Sequence, residues 1–277
     1  MASPRDLTLS LNLDTTLGAV YIGNIAASVL FGLTSFQTIA YFNRYPNDKN
    51  VTKILVMILW VLDFLHFFMI THAFYYYGVT NYMNPTAMGD MIWSLVAHVI
   101  VEAFSDVIVR GIFAYRIWKL SEGNVPLVFT IVIGTVAVFS FAVRAAQILH
   151  WVDFEQISSL IYYTLSTAAA ADIIMSASLC YFLRRRRSAF KGTQSLINTL
   201  VVYSINSGAL TSVCALACVI CYAAMPRNFI FQAFYYVLPK LLLNSLLAMM
   251  NARPSIRDAN ALNSYNIPLN EVTQANG

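Results

Sequence analysis

Residues 53–78 read KILVMILWVLDFLHFFMITHAFYYYG. A hydrocarbon layer about 30 Å thick takes about 20 apolar residues to cross as a helix. This stretch exceeds that length, and between Ile54 and Phe74 only Asp63, His66, Thr71 and His72 break its apolar run. A chain in lipid must satisfy its backbone hydrogen bonds internally, so the stretch is expected to be a membrane-spanning helix. Six more apolar stretches follow the same pattern, at 17–42, 88–118, 125–149, 157–183, 195–223 and 228–251. Short polar joints separate them, among them Asn43 to Asn50, Asn81 to Pro85, Ser121 to Asn124 and Asp153 to Gln156. The expected fold class is all-α: a polytopic membrane protein built as a seven-transmembrane-helix bundle.

The composition agrees. Of 277 residues, 58% are hydrophobic and 11% charged, against about 25% charged in an average soluble domain. Mean hydropathy is +0.63. Seven spans leave a 1–16 outer segment, a 17–252 transmembrane domain and a polar 253–277 tail, which is expected to be disordered. The first fifteen residues contain no short apolar core with a cleavage site, so the first span is expected to direct insertion itself.

The net charge of +4 does not point to nucleic acid, because topology accounts for where the basic residues sit. Twelve of the 17 Lys and Arg fall on one set of alternate joints, and only Arg5 and Arg227 fall on the other. Cytoplasmic joints carry the excess of Lys and Arg, so the N-terminus is expected outside and the C-terminus in the cytosol. The expected location is the plasma membrane or another secretory-pathway membrane. Tyr75, Tyr76, Tyr77 and Trp151 then fall at the outer interface and Trp118 at the inner one. Gly23, Ala27 and Gly32, and the run Ser166 to Ala171, are small enough for close helix contact.

Ionisable side chains inside spans are costly, by roughly 2.5–3.5 kcal/mol each on insertion scales, so each needs a partner or a task. His98, Glu102, Asp106 and Arg110 recur at steps of four and share one broad helix face. Asp106 and Arg110 have the spacing of an intrahelical ion pair. At 1.5 Å per residue, Asp63 lies about 15 Å into its span, His66 about 20 Å, and Glu102 and Lys240 about 18 Å into theirs. Asp172 falls near mid-span. Two readings follow. In one, these groups pair to hold the bundle, Lys240 with Glu102 or Asp172 and Arg110 with Asp106. In the other, Asp63, His66, His98, Glu102, Asp106, Arg110, Asp172, Lys240 and Asn244 line a cavity for a polar or amphipathic ligand, or for protons. Four carboxylates against two cations favour an unpaired remainder. Pro239 interrupts the last span just before Lys240.

Other marked residues carry less. Arg144, Gln147 and His150 read as interface groups whose charge snorkels to water. Arg184, Arg185, Arg186, Arg187 and Lys191 read as a stop-transfer anchor that could also bind anionic lipid or a cytosolic partner. Cys214, Cys218 and Cys221 read as buried thiols rather than metal ligands, and Cys180 lies where palmitoylation is conceivable. No metal or cofactor is called for. HExxH, GxSxG and Walker signatures are all missing, which disfavours an enzyme. A carboxylate acid catalyst of the terpene-cyclase kind stays open.

The C-terminal third carries a distinctive string. It runs Asp172-Ile173-Ile174, Ser195-Leu196-Ile197-Asn198, Tyr203-Ser204-Ile205-Asn206-Ser207-Gly208, Leu238-Pro239-Lys240, Asn244-Ser245-Leu246-Leu247-Ala248 and Asn251-Ala252-Arg253. Over about residues 165–257 it resembles a family of seven-transmembrane proteins of mushroom-forming (basidiomycete) fungi known by a C-terminal domain of unknown function. The resemblance implies a fungal membrane protein with a receptor-like bundle. It brings no ligand, activity or site residue with it. Three classes therefore stand: a receptor-like sensor binding a small amphipathic ligand, a proton-linked carrier, and a membrane-embedded enzyme on a lipid or isoprenoid substrate. The outside N-terminus, short loops and basic third cytosolic joint favour the first.

Overall fold

The computed structural model describes residues 14–82, 84, 87, 90–123, 125–145, 147, 158–186, 194–225 and 228–252. The N-terminal segment before residue 14, the segment from 253, His150, Trp151, Arg187, Lys191 and Arg227 lie outside the described residues.

Among the described residues seven long helices follow one another: α1 Ala19–Arg44, α2 Asn50–Tyr75, α3 Trp93–Leu120, α4 Val125–Ala145, α5 Ser158–Arg186, α6 Gln194–Ala224 and α7 Ile230–Asn251. Single π-helical turns at Asp14–Gly18 and Tyr76–Thr80 flank α1 and extend α2. Consecutive helices pack side by side and α7 returns against α1, closing a ring in which α3 also reaches α5 and α7. α3 begins at Trp93, later than the expected 88. Tyr77 explains the delay: its hydroxyl donates to the Asp90 carbonyl at 2.6 Å and accepts the Ile92 N–H at 3.3 Å. That holds Ile92 extended (φ −81°, ψ 154°). α3 ends where Glu122 (φ 59°) and Gly123 (φ 95°) turn left-handed, a conformation glycine adopts without penalty.

Ile22, Val29 and Phe36, seven residues apart on one face of α1, are 67%, 63% and 71% exposed. A soluble domain seldom leaves so long an apolar stripe uncovered; lipid covers it at no cost. Thr15–Arg44, Asn50–Thr80, Ser159–Arg185 and Ile230–Asn251 are long and apolar enough to cross a membrane. α3 has the length but carries Glu102, Asp106 and Arg110 within three turns. The apolar stretches described in α4 and α6, Val132–Ala145 and Gly208–Ala224, are shorter.

Small residues set the closest approaches. A Cβ on Gly23 would meet the Cα of Ala233 at 2.6 Å, so α1 and α7 nearly touch there. Gly134 faces Ala171 between α4 and α5, and Gly208 faces Ser176 between α6 and α5. Gly32 departs from expectation. A Cβ there meets nothing within 4 Å, because it lies off the stripe that Gly23 and Ala27 bury.

One end of the ring is dry and tightly packed. Tyr41, Leu59, Phe113, Ile117, Leu243 and Leu246 form part of a buried apolar cluster drawn from α1, α2, α3, α5 and α7. At its rim Arg44 and Tyr45 both donate to the Asn251 carbonyl, at 3.2 and 3.1 Å. This satisfies an orphan acceptor at the α7 terminus and places a cation against the helix dipole.

Candidate functional site

The polar residues of the bundle form two groups. The first joins α2, α7 and α1. Lys240, 0% exposed, donates through Nζ to the Asp63 carboxylate at 2.6 Å and to the Asp63 carbonyl at 2.8 Å. The ammonium also lies 5.6 Å from the centroid of the Phe31 ring, in range for a cation–π contact. The expected pairing of Lys240 with Glu102 or Asp172 is therefore incorrect. A depth estimate fixes height along a helix but not direction around it, and Lys240 faces α2. Asn244, one turn on, has its amide nitrogen 3.0 Å from Thr34 Oγ1, 3.1 Å from the Leu30 carbonyl and 2.9 Å from the Lys240 carbonyl. It ties α7 to α1 and lines neither cavity described below.

The second group joins α3 to α5. The Nε of Arg110 sits 2.8 Å from both carboxylate oxygens of Asp106, the intrahelical pair that the spacing predicts. Its Nη1 lies 2.8 Å from Asp172 Oδ1. One guanidinium thus bridges two acids, a geometry its planar fork suits better than an ammonium would. Asp172 is committed here and is not available to Lys240.

Of the four mid-helix acids, Glu102 alone forms no ion pair among the described residues. It is 8% exposed. Tyr235 of α7 lies beside its carboxylate, and Oε2 meets no hydrogen-bond partner. A buried acceptor left open carries a desolvation cost of about 1–3 kcal/mol, more if charged.

Two cavities of about 50 Å³ each lie in this part of the bundle, and Glu102 lines one of them. The upper one, toward the α2–α3 joint, is walled by Leu95, His98, Val99, Phe141, Phe231 and Gln232, among others. The lower one is lined by Glu102, Asp106, Arg110, Asp172 and Pro239, among others. Thr164, Leu165 and Tyr235 line both, so Tyr235 is the partition between an apolar chamber and a charged one. Each chamber has room for about four waters. His66 and His98 connect the two polar groups: their rings meet edge to face at 5.6 Å, and each faces Tyr236, at 6.4 and 5.4 Å. Both ring nitrogens of His66 are buried without a partner.

Of the residues singled out from sequence, Glu102, Asp106, Arg110, Asp172 and His98 line the chambers, whereas Asp63, Lys240 and Asn244 hold helices together beside them. Tyr235, Gln232 and Thr164 were missed. A signal for part of this lay in α7, where Gln232, Tyr236, Lys240 and Asn244 recur at steps of four, as the polar stripe does in α3.

Elsewhere, the thiols of Cys214 and Cys218 point to the Phe234 and Phe231 carbonyls at 3.6 and 3.3 Å. Arg144, exposed, donates to Gln147 Oε1 at 3.3 Å. Arg184 and Arg185 are exposed at the end of α5 beside Cys180 and Tyr181.

The four membrane-length helices and the lipid-type outer face define a helical integral membrane protein. A protein-family profile described as a family of unknown function (DUF6534) matches residues 168–255, agreeing with the resemblance read from the C-terminal string. The match spans α5 from Ala168 through α7 and includes Asp172, Pro239 and Lys240. No curated protein matches, and no solved structure does.

Proposed function

We propose that the chain is a seven-span receptor or sensor of fungal origin, its N-terminus outside, that binds a small amphipathic ligand across the two neighbouring chambers beside Glu102 and Tyr235. The observation that carries this reading is Glu102 itself. A buried carboxylate in the charged chamber, with one oxygen open and an apolar chamber on the other side of Tyr235, offers a polar anchor next to an apolar pocket, the usual build of a small-molecule site.

The dry cluster around Phe113, Ile117 and Leu246 favours a receptor over a carrier. A carrier must open its site alternately to both sides, and among the described residues this half of the bundle is filled with apolar side chains. Chambers holding about four waters each are a contracted state, so a ligand enters by moving Tyr235. Pro239 removes the α7 hydrogen bond to the Tyr235 carbonyl and loosens the helix at that point. At the cytosolic end, Arg184, Arg185, Arg186, Arg187 and Lys191 suit anionic lipid or a cytosolic partner.

The full chain, extracted in lipid nanodiscs, would be screened for thermal stabilisation by small amphiphiles and assayed in sealed vesicles for proton flux and for turnover of isoprenoid substrates. The receptor reading expects saturable stabilisation, lost in Glu102→Gln, with neither flux nor turnover. Flux abolished by the same substitution makes the protein a carrier, and product formation makes it an enzyme.

A further inference from the structure

We infer that the ligand of this site is a lipophilic monoamine, its single ammonium seated on Glu102 and its apolar body in the upper chamber; this rests on the ligand-binding reading above. The argument begins with charge. The lower chamber is lined by three carboxylates, on Glu102, Asp106 and Asp172, and by one guanidinium, on Arg110. Arg110 is already shared between Asp106 and Asp172. Lys240 is likewise committed to Asp63, so among the described residues no cation forms an ion pair with Glu102, and the acid one turn below it is of like sign. A cationic head supplies both what Oε2 lacks as a hydrogen-bond acceptor and what the chamber lacks in charge. Charge-assisted bonds of this kind are about twice as strong as neutral ones. An anionic head would face three acids and an arginine whose charge is already shared between two of them, and is rejected.

The walls decide the rest. Above Glu102 the chamber is bounded by Leu95, Val99, Phe141, Ile161 and Phe231, with the Tyr235 and Phe141 rings 6.3 Å apart. These surfaces take a compact hydrocarbon body, and the aromatic faces add cation–π attraction near the head. His98 and Gln232 are polar but uncharged partners for at most one hydrogen-bonding group. A second ammonium would be buried in this chamber without a counter-ion, which is strongly unfavourable. The site therefore selects one positive charge over none and over two. Tyr235 gives way as the ligand arrives, because its side chain lines both chambers and stands between the carboxylate and the apolar walls.

The test uses the full-length protein in nanodiscs with three probes of one skeleton: 1-adamantylmethylamine, the neutral 1-adamantylmethanol, and an adamantane diamine. Affinities are read by ligand-observed NMR and thermal shift. The amine is expected to bind at least about ten-fold more tightly than the alcohol, the diamine no better than the alcohol, and Glu102→Gln to bring amine and alcohol together. Comparison of the probes on the unmutated protein decides the matter even where the variant accumulates poorly. Equal binding of amine and alcohol, unchanged by Glu102→Gln, overturns the monoamine while leaving the pocket as a site for neutral amphiphiles. Failure of all three probes overturns the monoamine as well. If neutral and anionic amphiphiles also fail, the binding reading falls with it.

Discussion

Lys240 reaches across from α7 to place its ammonium 2.6 Å from the carboxylate of Asp63 on α2, with neither side chain open to solvent. Breaking a buried pair by removing one partner leaves an uncompensated charge and costs about 3–5 kcal/mol. Lys240→Met alone should lower the unfolding temperature in detergent sharply. Adding Asp63→Asn should recover part of the loss, and adding Glu102→Gln should not. Recovery with Glu102→Gln and not with Asp63→Asn would refute the assigned partner.

Arg110 holds two acids, so its loss and theirs are unequal. Arg110→Met strands both Asp106 and Asp172 and should cost about 3–5 kcal/mol. Asp172→Asn keeps the Asp106 bond and should cost only about 1.5–3 kcal/mol. Denaturation of the two variants side by side checks the order, and an equal or inverted pair of losses would contradict the bridge.

Gly23 and Gly32 stand on the same helix with opposite surroundings. Gly23→Leu drives a side chain into the Ala233 backbone and should destabilise by about 1–3 kcal/mol as overpacking does. Gly32→Leu projects into open space and should be tolerated. Thermal melts of both variants in the same detergent give the comparison.

The orientation rests on the twelve-to-two distribution of basic residues. A cysteine introduced at Asn81 should react with a membrane-impermeant maleimide in intact cells, and one at Ser121 only after permeabilisation. The reverse pattern would invert the topology.

Much of this was legible from local regularities. The α3 stripe His98, Glu102, Asp106, Arg110 follows from a step of four, and the Asp106–Arg110 pair from its spacing. Lys240 and Asp63 were placed at similar heights by counting residues. What counting does not supply is azimuth, so the partner of Lys240 was misassigned and the bridge from Arg110 to Asp172 went unseen. Tyr235 escaped notice for a different reason. An aromatic residue in an apolar span reads as core or interface, and only the position of α3 puts it in the same chamber as Glu102. The start of α3 was misjudged because the Tyr77 hydroxyl, distant in sequence, holds Ile92 extended.

The most direct test of the central claim is a high-resolution density map of the protein in nanodiscs formed from its native membrane, without added ligand. The account predicts non-protein density in the chamber above Glu102, in contact with its carboxylate, with Tyr235 displaced. A map in which Tyr235 still stands between the two chambers and side chains or a few waters fill both would contradict it, and the acidic cluster would then be structural alone.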